Sequence, residues 1–204
     1  MSTSTTTNYG WTIPNDDELV KNGAAAIRTL GQAIDTTAAA NFVAGLVHIE
    51  TQTFSAVSAV NFSNDVFSST YDNYKILFKG VGSTTVECRF RLRVAGVDNS
   101  TANSYVNQRM PISDTATTPT RQISNQGWLG TIASTAPNSW SAELFNPFLA
   151  VPTAYISHNM RYISGATIED YYGSHNQSTS YDSINIIAST GTFTGEMSVY
   201  GYRK

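Results

Sequence analysis

The three histidines are the residues of this chain best suited to proton transfer or metal binding, because imidazole titrates near neutral pH. They are His48, His158 and His175, and no two of them have the short helical or hairpin spacing of zinc ligands. None of the 23 serines lies in a Gly-x-Ser-x-Gly turn, the local motif of many serine hydrolases. The sequence therefore predicts no metal, no cofactor and no nucleophilic triad.

Paired carboxylates are the second arrangement that carries chemistry, since cleavage of a glycosidic bond needs two of them facing that bond. The best candidates are Glu169 and Asp170. Neighbours on a strand point to opposite faces of a sheet, so only one of the two can serve a given cleft. The other aspartates lie in polar turns that lack the alternating ligands of a calcium loop. We therefore expect the chain not to be an enzyme.

The single cysteine, Cys88, excludes an internal disulfide framework and a zinc site built from several cysteines. It lies in an alternating run in which it shares one face with Phe90 and Leu92. A thiol on the apolar face of a strand is typical of a buried and inert cysteine. We predict no chemical role for Cys88.

The opposite face of the same strand carries a row of like charges, Arg89, Arg91 and Arg93. Two interpretations are open: the row is a solvated sheet face paired with neighbouring Asp or Glu, or it faces another subunit or a ligand. The net charge of -3 argues against nucleic acid as that ligand, because phosphate binding depends on clustered Lys and Arg.

Aromatic residues in turn-rich segments are the remaining candidates for ligand contact. Trp128, Tyr171 and Tyr172 are expected to lie on loops and to contact a receptor. An aromatic ring with a polar edge suits sugar rings and protein partners alike.

The segments that position these residues begin with an extended arm, residues 1–15, whose first eight residues are too polar and β-branched to bury anything. Residues 16–45 have the three-four apolar spacing of an amphipathic helix. Its stripe resembles a short coiled coil, since the apolar residues form two series with a period of seven. We take as candidate oligomerisation residues Val20, Gly23, Ile27, Leu30 and Ile34. The alternative is a helix that packs on its own domain.

From residue 51 to residue 204 the pattern changes to the alternation and β-branched runs of strands. Ser and Thr fill 49 of the 204 positions and charged residues only 13%, which suits half-buried pleats and turns. The predicted strands are 51–60, 74–81, 85–97, 105–112, 122–132, 139–148, 154–163, 166–172, 183–188 and 195–202. We predict a mainly β fold, an antiparallel jelly-roll-like β-sandwich preceded by one amphipathic helix.

The amino terminus has neither the basic start nor the apolar run of a secretory signal. No stretch reaches the ~20 apolar residues that span a membrane. We expect synthesis in the cytoplasm and no membrane insertion.

Two parts of the chain resemble segments of tailed-bacteriophage proteins. Asn8-Tyr9-Gly10-Trp11-Thr12-Ile13-Pro14, with the helix after it, is similar to the opening of many tail or fibre proteins, where an aromatic-Gly-Trp element leads into such a helix. Residues 66–76, 89–93 and 198–202 resemble a β-sandwich module of phage minor structural and fibre proteins.

The resemblance implies a non-enzymatic virion component that is assembled in the host cytoplasm. The N-terminus would attach to other phage structural proteins through Tyr9, Trp11, Ile13 and Pro14. The helix would hold a homotrimer, and the β-domain would contact the host surface, with a surface glycan as a candidate ligand.

Within this class we expect a short tail fibre or fibre tip, and the alternative is a trimeric capsid decoration or head fibre protein. A monomeric carbohydrate-binding module, whose helix packs against its own sheet, is an alternative from another class. A polysaccharide-cleaving hydrolase is a third.

Overall fold

The computed structural model describes residues 4–13, 20–41, 45–113, 116–134, 136–162 and 166–204. The chain forms two compact units, Met1–Gly45 and Leu46–Lys204. The first strand of the second unit starts at Leu46, earlier than the predicted start of the β-domain at residue 51.

The first unit opens with a small hairpin, which corrects the prediction of an extended arm. Strand β1 (Ser4–Thr5) pairs antiparallel with strand β2 (Thr12–Ile13). The backbone N–H of Gly10 donates to the carbonyl of Thr6 at 3.0 Å, and the N–H of Thr6 donates to the carbonyl of Trp11 at 2.9 Å. Gly10 has a φ of 65°, a left-handed conformation that glycine adopts without a Cβ clash, so the chain can reverse there.

Helix α1 spans Val20–Asn41 and contacts this hairpin. The indole of Trp11 lies against it and donates a hydrogen bond to the side chain of Thr37 at 2.9 Å. The predicted beginning of the helix at residue 16 lies outside the described residues. No helix in the described part of the chain is long and apolar enough to cross a bilayer.

The second unit consists of strands with short connections. They are β3 (Leu46–Val57), β4 (Ala59–Asn61), β5 (Asn73–Gly82), β6 (Val86–Val94), β7 (Val97–Asp98), β8 (Tyr105–Ser113), β9 (Ala116–Thr117), β10 (Thr120–Ser124), β11 (Gly127–Ile132), β12 (Asn138–Phe145), β13 (Thr153–Tyr162), β14 (Ala166–His175), β15 (Ser183–Ala188) and β16 (Phe193–Tyr202). Most of them coincide with predicted strands to within a few residues, because period-two alternation is a local signal.

The strands form two antiparallel sheets of unequal size. The larger sheet has the order β10-β8-β14-β13-β12-β5-β16-β3, with β9 paired to β8. The smaller sheet has the order β11-β6-β15-β4, with β7 paired to β6. Inward side chains of both sheets share one apolar core, so the predicted mainly β sandwich with an N-terminal helix is confirmed.

Aromatic side chains dominate the core between the sheets. The ring of Phe90 on β6 packs edge-on against Tyr155 of β13 and Tyr105 of β8, with ring centroids 4.8 and 5.6 Å apart. Phe78 of β5 and Trp140 of β12 stack with a centroid distance of 5.4 Å. Offset and edge-on pairs of this kind contribute beyond the area that they bury.

One predicted strand, residues 122–132, is two strands that belong to different sheets. β10 ends at Ser124 in the larger sheet, and β11 begins at Gly127 in the smaller sheet. Between them the hydroxyl of Ser124 donates to the carbonyl of Gln126 at 2.7 Å and accepts from its N–H at 3.1 Å. A serine bonded to nearby backbone competes with sheet pairing, so the chain turns here from one sheet to the other.

Candidate functional site

Two of the three aromatic residues predicted to contact a receptor are buried, which corrects that prediction. Trp128 in β11 is 6% exposed, and Tyr171 in β14 is 0% exposed. Burial, together with the neighbouring carboxylate of Glu169, raises the pKa of Tyr171. Tyr172, on the other face of β14, is 40% exposed. All three lie in strands and not on loops, and adjacent strand residues point to opposite faces.

Each arginine of the row on β6 has an acidic partner in its own chain. Nη2 of Arg89 lies 2.6 Å from Oε2 of Glu87. Nε of Arg93 lies 2.9 Å from Oδ1 of Asp98, and Nη1 of Arg91 lies 3.9 Å from Oδ2 of the same carboxylate. The short β6–β7 hairpin brings Asp98 to this position. The row is therefore a paired sheet face, which favours the first interpretation over a surface that faces a subunit or ligand.

The predicted oligomerisation residues fall into two groups on helix α1. Ile27 and Ile34 are 65% and 40% exposed. Gly23 and Leu30 are half-buried on the adjoining part of the helix surface. The side chain of Val20 lies outside the described residues. Two large apolar side chains, seven residues apart, are thus uncovered within the first unit.

The predicted attachment residues lie in and beside the amino-terminal hairpin. Tyr9 is 62% exposed and stacks on Trp11 with ring centroids 5.1 Å apart. Trp11 and Ile13 are half-buried, and Pro14 lies outside the described residues. Tyr9 is therefore the most accessible of the described attachment residues.

Glu169 and Asp170 point to opposite faces of β14, and this prediction is confirmed. Glu169 is fully buried, and its carboxylate forms an ion pair with Arg109 of β8. It also accepts hydrogen bonds from the hydroxyl of Tyr171 at 2.8 Å and from Nδ2 of Asn159 at 3.1 Å. Asp170 faces outward. Glu169 is thus part of a buried polar network, and Asp170 belongs to the surface.

A second buried polar cluster surrounds His175, the last residue of β14. Nε2 of His175 lies 2.6 Å from the hydroxyl of Tyr181, and its ring stacks on Tyr105 with centroids 4.1 Å apart. Burial lowers the pKa of His175 to about 4, so the imidazole is neutral at physiological pH. β14 reaches His175, beyond the predicted strand 166–172, because the polar segment after Gly173 hides the end of the strand.

Cys88 is fully buried, as predicted. Burial raises the pKa of its thiol to about 12, which keeps the sulfur protonated and unreactive near neutral pH. Among the described residues, no group of three or more His, Cys, Asp and Glu side chains could hold a metal ion.

The outer face of the larger sheet carries a depression that was not predicted from the sequence. Its floor is formed by short side chains of β12, and its walls are longer side chains of the strands on either side. The floor residues are Ser139 and Ser141, and the wall residues are His158 and Met160 of β13 and Leu77 and Lys79 of β5. The depression has a volume of about 650 Å³. We call it the serine trough.

The pairing register extends the serine trough over two further strands. Ile168 and Asp170 of β14 lie beside the wall on β13, and Glu196 and Ser198 of β16 lie beside the wall on β5. Strand spacing is about 4.8 Å, so the walls on either side of the serines stand roughly 10 Å apart. The trough is therefore a wide and shallow surface cleft.

One histidine lines this cleft, and a second histidine lies beyond it. Nδ1 of His158, a lining residue, lies 2.8 Å from Oδ1 of Asp170. Nε2 of His48 lies 2.7 Å from Oγ1 of Thr51, which lies 2.7 Å from Oγ of the lining residue Ser198. These pairs hold the polar side chains in fixed orientations.

Ser141, His158 and Asp170 lie directly opposite one another on three adjacent strands, and these are the residue types of a hydrolase triad. No hydrogen bond joins Ser141 to His158 within the described residues. Ser141 pairs with strands on both sides, so the sheet uses the backbone N–H groups that an oxyanion hole would need. The row offers hydrogen-bonding groups to a ligand, and it does not present an activated nucleophile.

No protein-family model, curated protein or solved structure matches this chain. The chemistry of the serine trough must therefore be inferred from its own residues. The sequence shows that β12 alternates, but only the register reveals which long side chains flank its serines.

Proposed function

We propose that this chain is a non-enzymatic structural protein of a tailed-bacteriophage virion. It is a short tail fibre or fibre tip that forms a homotrimer. It attaches to other phage structural proteins through its N-terminus and contacts the host surface through its β-sandwich. The observation that carries the proposal is the exposure of Ile27 and Ile34 along one line of helix α1.

An exposed isoleucine is a source of association energy. Full burial of one isoleucine side chain stabilises an assembly by about 1.5–3 kcal/mol. Two such residues per helix therefore favour contact with a neighbouring helix over contact with water. Residues seven apart lie on nearly the same side of an α-helix, so both can enter one seam. Isoleucine in this series with Leu30 in the companion series also suits a two-stranded coiled coil. The trimer follows from the resemblance to phage proteins, and the mass in solution distinguishes the two states.

Three further properties support a virion role. The aromatic-Gly-Trp element and the helix resemble the opening of phage tail proteins. The chain divides into a helical unit and a β unit, as expected of a protein in which attachment and display are separate tasks. The low charged fraction of 13% and the many hydroxyl side chains are compatible with an exposed, assembled particle protein.

Each of two alternative functions is supported by a specific observation. A trimeric head decoration protein would use the same exposed isoleucines for association. A monomeric carbohydrate-binding module is favoured by the serine trough, which lies within one chain and needs no second copy.

Immunogold labelling of particles from cells that carry the gene tests the virion role. With antibodies against the β-sandwich, we expect label on purified particles, at the distal tail for a fibre and over the head for a decoration protein. Chain that stays entirely in the particle-free fraction would contradict the proposal.

A further inference from the structure

We infer that the serine trough is a carbohydrate-binding site and that its ligand is a neutral oligosaccharide. The inference rests on the proposed role in surface contact and names the ligand class through which the β-sandwich would make that contact. It moves the binding site from Trp128 and Tyr171, which are buried, to the outer face of the larger sheet.

The first argument is the number of free polar groups that converge on the trough. The hydroxyls of Ser139 and Ser141 have no hydrogen-bond partner among the described residues. Lys79 and Glu196 are directly opposite in the pairing of β5 and β16, yet no ion pair joins them in the described structure. His158 uses Nδ1 for Asp170, which leaves Nε2 for a ligand. A ligand that carries a hydroxyl on most carbons can satisfy several of these groups at once.

The second argument is the apolar surface that lies beside those groups. Leu77, Met160 and Ile168 are 39%, 64% and 49% exposed and line the same cleft. Sugar rings present C–H faces as well as hydroxyls, so they can cover these side chains while they bond to the serines. A purely apolar ligand would bury the polar groups without partners, which costs roughly 1–3 kcal/mol for each group.

The third argument is the charge of the trough, which predicts a neutral ligand. Lys79 stands opposite Glu196, and His158 is bonded to Asp170, so the cleft has no excess of positive charge. At the border of the trough Lys75 lies 3.6 Å from Glu143 and is neutralised by it. An acidic sugar or a phosphate would find no free cationic cluster here.

The size of the cleft points to a small ligand and not to a large protein surface. A volume of about 650 Å³ lies in the range of small-molecule clefts. The short serine side chains of the floor leave this space open, because a bulky residue at Ser139 or Ser141 would project into it.

The test uses the full chain and a panel of immobilised oligosaccharides, with neutral hexose and N-acetylhexosamine oligomers beside sialylated and sulfated ones. We expect the wild-type chain to bind at least one neutral oligosaccharide. Ser141→Phe, which places a ring on the floor of the trough, should weaken that binding at least tenfold. Ser174→Phe is the matched control on the outer face of β14, beside Ala154 and Val106, and should bind like the wild type. Phenylalanine is well tolerated on strands, and thermal unfolding verifies both folds.

The inference would be overturned by binding of acidic oligosaccharides alone, by no binding to the neutral members, or by equal binding by Ser141→Phe. A loss of oligomer mass in Ser141→Phe without sugar binding by the wild type would identify the trough as a contact between copies and would also overturn it. Sedimentation equilibrium in the same buffer tests the proposed trimer separately from the proposed sugar site. An oligomer that binds no sugar contradicts the inference, whereas a monomer that binds a neutral sugar contradicts the trimer.

Discussion

The indole Nε1 of Trp11 donates a hydrogen bond to Oγ1 of Thr37 at 2.9 Å and so joins the amino-terminal hairpin to the helix. The two residues are 26 positions apart in the sequence. Trp11 is thus engaged within its own chain, while the stacked ring of Tyr9 is left accessible to a partner. The hairpin and helix form one unit, which an attachment partner would meet already folded.

Replacing Thr37 by Val should loosen the hairpin from the helix. The substitution keeps the shape of the side chain and removes an acceptor worth about 1 kcal/mol. The NMR signal of the Trp11 indole N–H can be assigned because it is absent in Trp11→Phe. Hydrogen exchange of this N–H should be about fivefold faster in Thr37→Val than in the wild type. Thr36→Val is the matched control, because that hydroxyl is exposed and bonds to the carbonyl of Gln32 at 2.9 Å. Unchanged exchange in Thr37→Val would show that this hydrogen bond does not hold the hairpin.

The buried imidazole of His175 should make the fold less stable in mild acid. Burial lowers its pKa in the folded state to about 4, so between about pH 6.5 and pH 4 the unfolded chain binds a proton that the folded chain does not. The free energy of unfolding should therefore fall as the pH drops through this window, by at most about 1.4 kcal/mol per pH unit. Urea unfolding at pH 7, 6 and 5 measures the slope. His175→Gln should have a shallower slope, and equal slopes would refute the role of His175.

The ion pair of Arg109 with Glu169 should contribute more to the free energy of unfolding than ion pairs at the surface do. Arg109→Met leaves a fully buried carboxylate without its cation, which costs about 3–5 kcal/mol. The double variant Arg109→Met, Glu169→Gln should recover part of that loss, because no charge remains buried alone. Chemical denaturation of the single and double variants measures both values.

The pair of Lys75 and Glu143, in which both side chains are partly exposed, is the control for that experiment. Lys75→Met should cost less than about 1 kcal/mol, as expected for an ion pair in contact with water. Equal decreases in the free energy of unfolding for Arg109→Met and Lys75→Met would contradict a special contribution of the buried network.

Gly127 in β11 should not tolerate a side chain. A Cβ at this position would overlap the ring of Phe90, which is fully buried and cannot move aside. Gly127→Ala should therefore lower the free energy of unfolding by about 1–3 kcal/mol. Gly31→Ala is the control, since a Cβ there meets open space in a helix and should stabilise by about 0.5–1 kcal/mol. Equal unfolding free energies for the two variants would contradict this packing.

The strands could be predicted from the sequence because each carries its own pattern. The alternation of Cys88, Phe90 and Leu92 with arginines predicted both the strand and its buried face. Which strands become neighbours is not a local property, so the position of Asp98 beside Arg93 could not be read from spacing.

The prediction that Trp128 and Tyr171 are accessible was wrong for the same reason. Tyr171 and Tyr172 look equivalent in the sequence, but one faces the core and the other the outer face of β14. The serine trough depends on long side chains that β5 and β13 bring beside Ser139 and Ser141. The amino-terminal hairpin was not predicted, because the segment is polar and one turn residue, Gly10, is a weak signal.

Self-association through helix α1 is the basis of the proposed virion role, and substitutions in the full chain can isolate it. Ile27→Asp, Ile34→Asp places two charges on the exposed apolar line. Ala25→Asp, Gln32→Asp is the matched control, with the same spacing and charge on the opposite exposed side of the helix.

Sedimentation equilibrium of the wild-type chain and these two variants is the most direct measurement. We predict a mass of about 66 kDa, three times the chain mass of 22.1 kDa, for the wild type and the control, and the mass of a single chain for Ile27→Asp, Ile34→Asp. A wild-type chain that sediments as a monomer, or an Ile27→Asp, Ile34→Asp variant that keeps the full oligomer mass, would contradict assembly through this helix.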